Sequence, residues 1–138
     1  MSEVRAAAKA VIFHQDKILV LKEQIGTKLV WDLPGGKIEY GETPKQTLHR
    51  EIKEELDIEV AVEKFLGVWW FFQIGIERQI ICTTYLCTPK SLAINLTKNS
   101  SLSENIQEAF WMPPSEFISQ CQGKIDNSLC ELLLNSFS

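Results

Sequence analysis

The order of elements along the chain predicts an α+β fold, a mixed β-sheet with helices on its faces. Three observations lead there. Short strand-forming runs are bounded by turn residues in the first third and again in the middle of the chain. One strongly marked helix stands at 44–56, and two more helical patterns close the chain. Strands and helices are mixed without a regular βαβ alternation. With 138 residues, the chain is long enough for one sizeable core but not two, so a single domain over 1–138 is expected.

The elements follow in order. "AAAKAVIF" (6–13) and "KILVLK" (17–22) read as two strands joined by a short turn around "HQD". "LVWDL" (29–33) is a third short strand, cut off by Pro34-Gly35-Gly36. Those residues cannot continue a ladder, and the glycines allow positive φ and close backbone approach. A helix start comes next. Thr43 is the N-cap, Pro44 fits the first helical position, and Gln46 completes a capping box with Thr43. Leu48, Ile52 and Leu56 recur every four residues as the buried stripe, and the helix ends near Leu56.

Beyond it, 58–74 and 78–88 suggest two or three strands around a tight turn at Gly75-Ile76-Glu77. Within "VWWFF", Trp69 and Phe71 face one way while Trp70 and Phe72 face the other. Sheet core on both faces is the expected role, with base stacking as the alternative for Trp70. "LAINLTKNSSLSEN" is polar and forms a loop in its second half, and "EAFWM" is one more strand. "PPSEFISQC" and "DNSLCELLLNSF" are helices, the second capped by Asp126 with Leu129, Leu132 and Leu133 inward.

Composition narrows the function classes. A net charge of −4 and a pI near 5.2 argue against a broad nucleic-acid footprint, though not against a small phosphate ligand that a cation bridges. No apolar run approaches the roughly 18–20 residues of a membrane span. The N-terminus reads as strand, turn, strand rather than as a signal peptide, so a cytoplasmic protein is expected. Cys82, Cys87, Cys121 and Cys130 form no Cys-x-x-Cys pair, and they read as reduced thiols that fill the core.

"HREIKEELDI" (49–58) crowds Glu51, Glu54 and Glu55 into five positions. Like charges three or four apart on a helix destabilise it by about 0.2–0.5 kcal/mol per pair. With Leu48 at zero and about 100° per residue, Glu55 falls near 340°, Glu51 near 300°, Glu54 near 240° and Arg50 near 200°. The carboxylates therefore form one stripe beside the buried face, a geometry that suits a hard divalent cation. A solvated charged face explains the helix equally well when it is taken alone. It draws on the pairs Arg50–Glu54 and Lys53–Asp57, both in the weaker orientation.

The preceding residues decide between them. From Gly36 to Ile58 the pattern is Gly, five residues, Glu, seven residues, Arg-Glu, an aliphatic, any residue, Glu-Glu, any residue, Gly, an aliphatic. Gly36, Glu42, Arg50, Glu51, Ile52, Glu54, Glu55 and Ile58 match it, and Asp57 stands where the pattern has glycine. This stretch resembles the signature box of the Nudix hydrolases, which cleave nucleoside diphosphates linked to another group. The resemblance implies the Nudix fold, a mixed sheet in an α/β/α sandwich. It also implies a divalent cation, magnesium or alternatively manganese.

Carried over position by position, Glu51, Glu54 and Glu55 would ligate the metal, with the Gly35 carbonyl a further ligand. Arg50 would orient the carboxylates, Glu51 above all, and Glu42 would support the metal or brace the loop. Gly35 and Gly36 would lie against the diphosphate. The general base would be Glu54, Glu55 or a glutamate outside the box, with Glu104 preferred over Glu108. Trp70 and Arg78 are candidate substrate contacts, and His14 and His49 read as surface residues.

The expected reaction is water attack on phosphorus, taking a nucleoside triphosphate to monophosphate and pyrophosphate. This substrate is favoured because the chain lacks the extra N-terminal segment of many sugar-nucleotide members. ADP-ribose or another nucleoside diphosphate derivative is the runner-up. A non-catalytic ligand sensor is a distant third, because all box glutamates are present. The partner is a small nucleotide, and monomer and homodimer remain open. Asp57 concerns how the helix stops: aspartate tolerates the left-handed conformation expected there.

Overall fold

The computed structural model describes residues 1–25, 27–96, 106–121 and 128–137. Among the described residues, seven strands and three α-helices are seen: β1 (Glu3–His14), β2 (Lys17–Ile25), β3 (Lys28–Asp32), β4 (Gly35–Lys37), α1 (Pro44–Leu56), β5 (Val60–Gln73), β6 (Arg78–Pro89), β7 (Ile106–Met112), α2 (Pro114–Cys121) and α3 (Ser128–Phe137). A 3-10 turn, Ile74–Ile76, joins β5 to β6.

β1 is the hub of the mixed sheet. It runs parallel to β6 over ten register pairs, from Glu3↔Arg78 to Ile12↔Cys87. It pairs antiparallel with β4 through Ala7↔Lys37, Ala8↔Gly36 and Lys9↔Gly35. Its last residues form a hairpin with β2, which in turn carries β3 and β7 as antiparallel neighbours. β5 closes the far side by pairing antiparallel with β6.

Alternation along β1 divides the core into two layers. Ala8, Ala10 and Ile12 pack with Leu48, Ile52 and Leu56 of α1. Val11 packs on the opposite face with Val20, Phe117 of α2 and Leu133 of α3. The expected mixed sheet between helices is therefore what the chain forms. Each fully buried leucine or isoleucine contributes on the order of 1.5–3 kcal/mol.

α1 starts and stops as its sequence requires. The Thr43 hydroxyl accepts the Gln46 amide at 3.2 Å, and the Gln46 side chain accepts the Thr43 amide at 2.9 Å. At the far end Asp57 adopts φ 57°, ψ 35°, and its amide donates to the Lys53 carbonyl. Aspartate thus occupies the left-handed position that favours glycine.

Two expectations need correction. β3 ends before Pro34, as expected, but the two glycines do enter a ladder: they open β4, paired with β1, with Gly35 at φ 132°. A Cβ at Gly35 would collide with the Ala8 carbonyl oxygen and lie 2.9 Å from the Lys9 Cα. The residue expected to interrupt pairing is thus the one that lets β4 come close enough to pair. The aromatic run of β5 also fills core on one face only. Trp69 is buried with Ala7, Cys82 and Leu132, while Trp70 and Phe72 are exposed at 40% and 55%.

Cys82, Cys87 and Cys130 are buried free thiols, as expected. Burial pushes Cys82 and Cys87 up to about 12. Asp126, the expected cap of the last helix, lies outside the described residues. No helix among the described residues is long and apolar enough to cross a membrane.

Candidate active site

The candidate site lies where β4 meets α1. The capping box sets the first turn of α1, and four-residue periodicity turns Leu48, Ile52 and Leu56 onto the sheet. Glu51 and Glu55, one turn apart, are carried beside that seam and buried to 7% and 1% exposure. Glu55 accepts the Gly35 amide at 2.9 Å on Oε1. The Glu51 carboxylate rests on Gly36, where a Cβ would stand 2.5–2.7 Å from its carboxyl atoms. Only a residue without a Cβ leaves that slot open. Glu54 sits on the solvent side, its side chain 55% exposed.

Arg50 ties the cluster together. Its Nε donates to Glu42 Oε2 at 2.6 Å and its Nη2 to Glu42 Oε1 at 2.9 Å, a two-pronged clamp. Its Nη1 donates to Glu51 Oε1 at 2.9 Å and reaches Glu54 at 3.4 Å. Nη2 also donates to the Lys37 carbonyl at 3.2 Å. One guanidinium therefore touches three carboxylates and the end of β4, offsetting the repulsion that the sequence concentrates here.

Glu42 is further held by the Thr47 hydroxyl and the Glu39 amide, each at 2.9 Å. The Arg50 hydrogen bond first, then the Glu39 amide, hold its carboxyl down at about 2. Arg50 is itself raised above the usual arginine range, chiefly by Glu42. Of the two roles open to Glu42, its contacts are those of a loop brace.

The donor chemistry suits a hard divalent cation. Every side chain offered is a carboxylate, and the slot at Gly36 is one that a Cβ would fill. Among the described residues, no three His, Cys, Asp or Glu side chains are gathered closely enough to hold an ion alone. Magnesium sites of this kind use one or two carboxylates and complete the shell with substrate phosphates and water. Glu51 and Glu55, with Glu54 at the rim, fit that description.

Other predicted positions are scattered. Arg78 starts β6 opposite Glu3 and donates to its carboxylate at 2.6 Å. Glu3 is five positions from Ala8, the partner of Gly36, or about 17 Å along an extended strand. Trp70 lies on the edge strand β5, where its amide and carbonyl both bond the Ser128 hydroxyl, at 3.0 and 2.9 Å. Glu104 lies outside the described residues. Glu108 is in β7, exposed and opposite Lys22. His49 is exposed on α1, while His14 leans on Trp111 with ring centroids 5.9 Å apart.

One pair beside the site escaped the sequence reading. Lys9 on β1 is buried at 6% exposure and ion-pairs with Asp32 at 2.9 Å. The signal was available, since a lysine interrupts the apolar run "AAAKAVIF". Its partner in β3 was not readable, because 23 residues separate them.

Comparison with known proteins adds four findings. A family model described as NUDIX domain matches residues 3–129. The MutT-like protein of Streptomyces ambofaciens is 33% identical over 112 residues, covering 80% of this chain and 64% of its own length. An ADP-ribose pyrophosphatase of Methanocaldococcus jannaschii is 39% identical over 64 residues, covering 46% of this chain and 38% of its own. The chain thus spans less than two thirds of either relative. Among solved structures, a MutT NUDIX hydrolase from Burkholderia pseudomallei superposes with a TM-score of 0.75 at 20% identity, covering 98% of both chains.

Proposed function

The chain belongs to the Nudix hydrolase family, and from that premise we propose that it is a divalent-cation-dependent pyrophosphohydrolase of small nucleotides. The observation that carries this reading is the buried pair Glu51 and Glu55 against Gly35–Gly36, locked by Arg50. A structural helix has no use for two buried carboxylates on one side, because burying charge is costly unless something compensates it.

In this reading Glu51, Glu54 and Glu55 hold magnesium, or manganese in its place, with the Gly35 carbonyl as a further ligand. When bound, such an ion neutralises phosphate charge and lowers the pKa of a bound water. The chain's own groups supply the rest. Arg50 keeps Glu51 turned toward the glycine strand, and Glu42 keeps Arg50 in place. Gly36, having no Cβ, leaves room for the Glu51 carboxylate, and the Gly35–Gly36 strand lies against the diphosphate. A glutamate, Glu54 or Glu55 from the box or Glu104 from outside it, accepts the proton of the attacking water. Water attack on phosphorus then breaks the anhydride.

For substrate we favour a nucleoside triphosphate, released as monophosphate and pyrophosphate; a local likeness over 31 residues to a protein named 8-oxo-dGTP diphosphatase supports this. ADP-ribose is the second reading, favoured by the relative that carries that name. The domain acts as one unit over 1–138, in the cytoplasm, as monomer or homodimer. Trp70 and Arg78 are the outlying candidates for substrate contact.

A phosphate-release screen over NTPs, dNTPs, oxidised nucleotides, ADP-ribose, dinucleoside polyphosphates and NADH with Mg²⁺ tests the reading. Cleavage of a triphosphate that EDTA silences is the expected result. Activity that survives chelation would rule out the cation mechanism, and turnover confined to ADP-ribose would select the second substrate.

A further inference from the structure

We propose that Lys9 is a positioning residue for this centre: by holding Asp32 and the Leu33 carbonyl it sets how the glycine strand, and with it the Gly35 amide, meets Glu55. For its catalytic consequence the inference rests on the hydrolase reading; its geometry does not.

Four consecutive residues, 32 to 35, are tied to two neighbours on β1. The Lys9 ammonium donates to Asp32 Oδ2 at 2.9 Å and to the Leu33 carbonyl at 3.3 Å. Asp32 Oδ1 accepts the Leu33 amide at 2.7 Å, closing a small ring at the end of β3. The Ala10 amide donates to the Pro34 carbonyl at 2.8 Å. Gly35 then stands opposite Lys9 in the β1–β4 register, and its amide reaches Glu55 at 2.9 Å. The chain thus turns from β3 into β4 around the Lys9 side chain.

The chemistry of the position fits that role. Ala7 and Val11, two positions away on the same face of β1, are buried apolar residues. An aliphatic side chain at position 9 would fill the space without a charge to bury. Burial alone would depress the ammonium, yet Asp32, with Glu55 and Glu23, raises it above the usual lysine range. The cation therefore sits charged behind the glycine strand, with Glu55 within its electrostatic reach. Glu55 is 1% exposed and accepts the Gly35 amide directly, so the placing of that amide bears on how the carboxylate is oriented. Groups that orient a metal ligand in this indirect way typically change cation affinity by about 10–100-fold when lost.

The test compares Lys9→Met, which keeps length and volume, with Lys9→Arg, which keeps the charge. Three quantities are read: hydrogen exchange at the Gly35 amide by NMR, Mn²⁺ affinity by EPR titration, and kcat and KM on the substrate found in the screen. In Lys9→Met, Gly35 should exchange about tenfold faster, Mn²⁺ should bind about tenfold more weakly, and kcat should fall while KM changes little. Lys9→Arg should recover most of each. A folded Lys9→Met protein with wild-type Gly35 exchange and Mn²⁺ affinity would overturn the proposal, even if its melting temperature dropped. Should Lys9→Met fail to fold, Asp32→Asn takes its place with the same Gly35 expectation, and unchanged exchange there is equally fatal. A wild type that neither binds Mn²⁺ nor cleaves any substrate would sink the hydrolase reading instead, while Gly35 exchange still decides the geometry.

Discussion

α1 buries Leu48, Ile52 and Leu56 and draws Glu51 and Glu55 into the same protected zone, whereas β5 buries Trp69 and leaves Trp70 and Phe72 outside. In a helix the spacing of residues decides which share a face, and neighbours on that face follow the same fate. In a strand the spacing assigns residues to two faces but does not say which face another element covers. By register, Trp70 and Phe72 share the α1 side of the sheet with Ala6 and Val4. α1 packs over Ala8, Ala10 and Ile12 and stops short of that end. Polar helix residues have become buried, and apolar strand residues have not.

The contrast can be attacked at several points. The largest effect belongs to the helix: Glu54→Gln should cut turnover by about 10²-fold or more while leaving the fold intact, because it removes a candidate ligand from an exposed site. Turnover at the wild-type level in that variant would refute the metal assignment. Next comes stability. Leu48→Ala should cost about 2–5 kcal/mol by urea unfolding, whereas Phe72→Ser should stay within about 0.5 kcal/mol, being an exposed position. A large loss at Phe72 would show that the outer face of β5 is covered after all.

Acid should act on the helix region through Glu42. Its carboxyl is depressed from an ordinary value of 4.5 to about 2. The unfolded chain binds that proton first, so the contribution is complete above about 4.5 and is lost as pH falls toward 2. Melting temperatures recorded over that window should fall less in Glu42→Gln than in the wild type. Parallel curves would show that the Arg50 clamp does not survive in solution. The smallest effect is at Asp57. Its left-handed backbone suits glycine, so Asp57→Gly should leave turnover nearly unchanged, and a large gain would mean the helix end limits the chemistry.

Legibility differed between the regions for the same reason that their burial does. The capping box, the bounds of α1 and the alignment of Glu51, Glu54 and Glu55 are local matters within a few turns, and they could be read directly. Glu42 was readable as a box position, but its alternatives narrowed only when Arg50, Thr47 and the Glu39 amide were seen to converge on it. The pairing of Gly35–Lys37 with β1 was misread, because a glycine pair looks like an end to a ladder until a close neighbour requires it. Arg78 looked available to a phosphate, and the parallel register of β1 and β6 instead sets Glu3 beside it.

By itself the sequence determined the family, the mixed α+β architecture, the helix with its caps, and the carboxylate stripe that makes chemistry conceivable. These depend on spacing along one segment, which short-range geometry converts into a face. Tertiary structure alone decided which carboxylates are buried, which face of β5 meets solvent, and that Lys9 and Asp32 stand behind the glycine strand. Those outcomes depend on which distant segment arrives, and burial and charge pairing take their values only when it does.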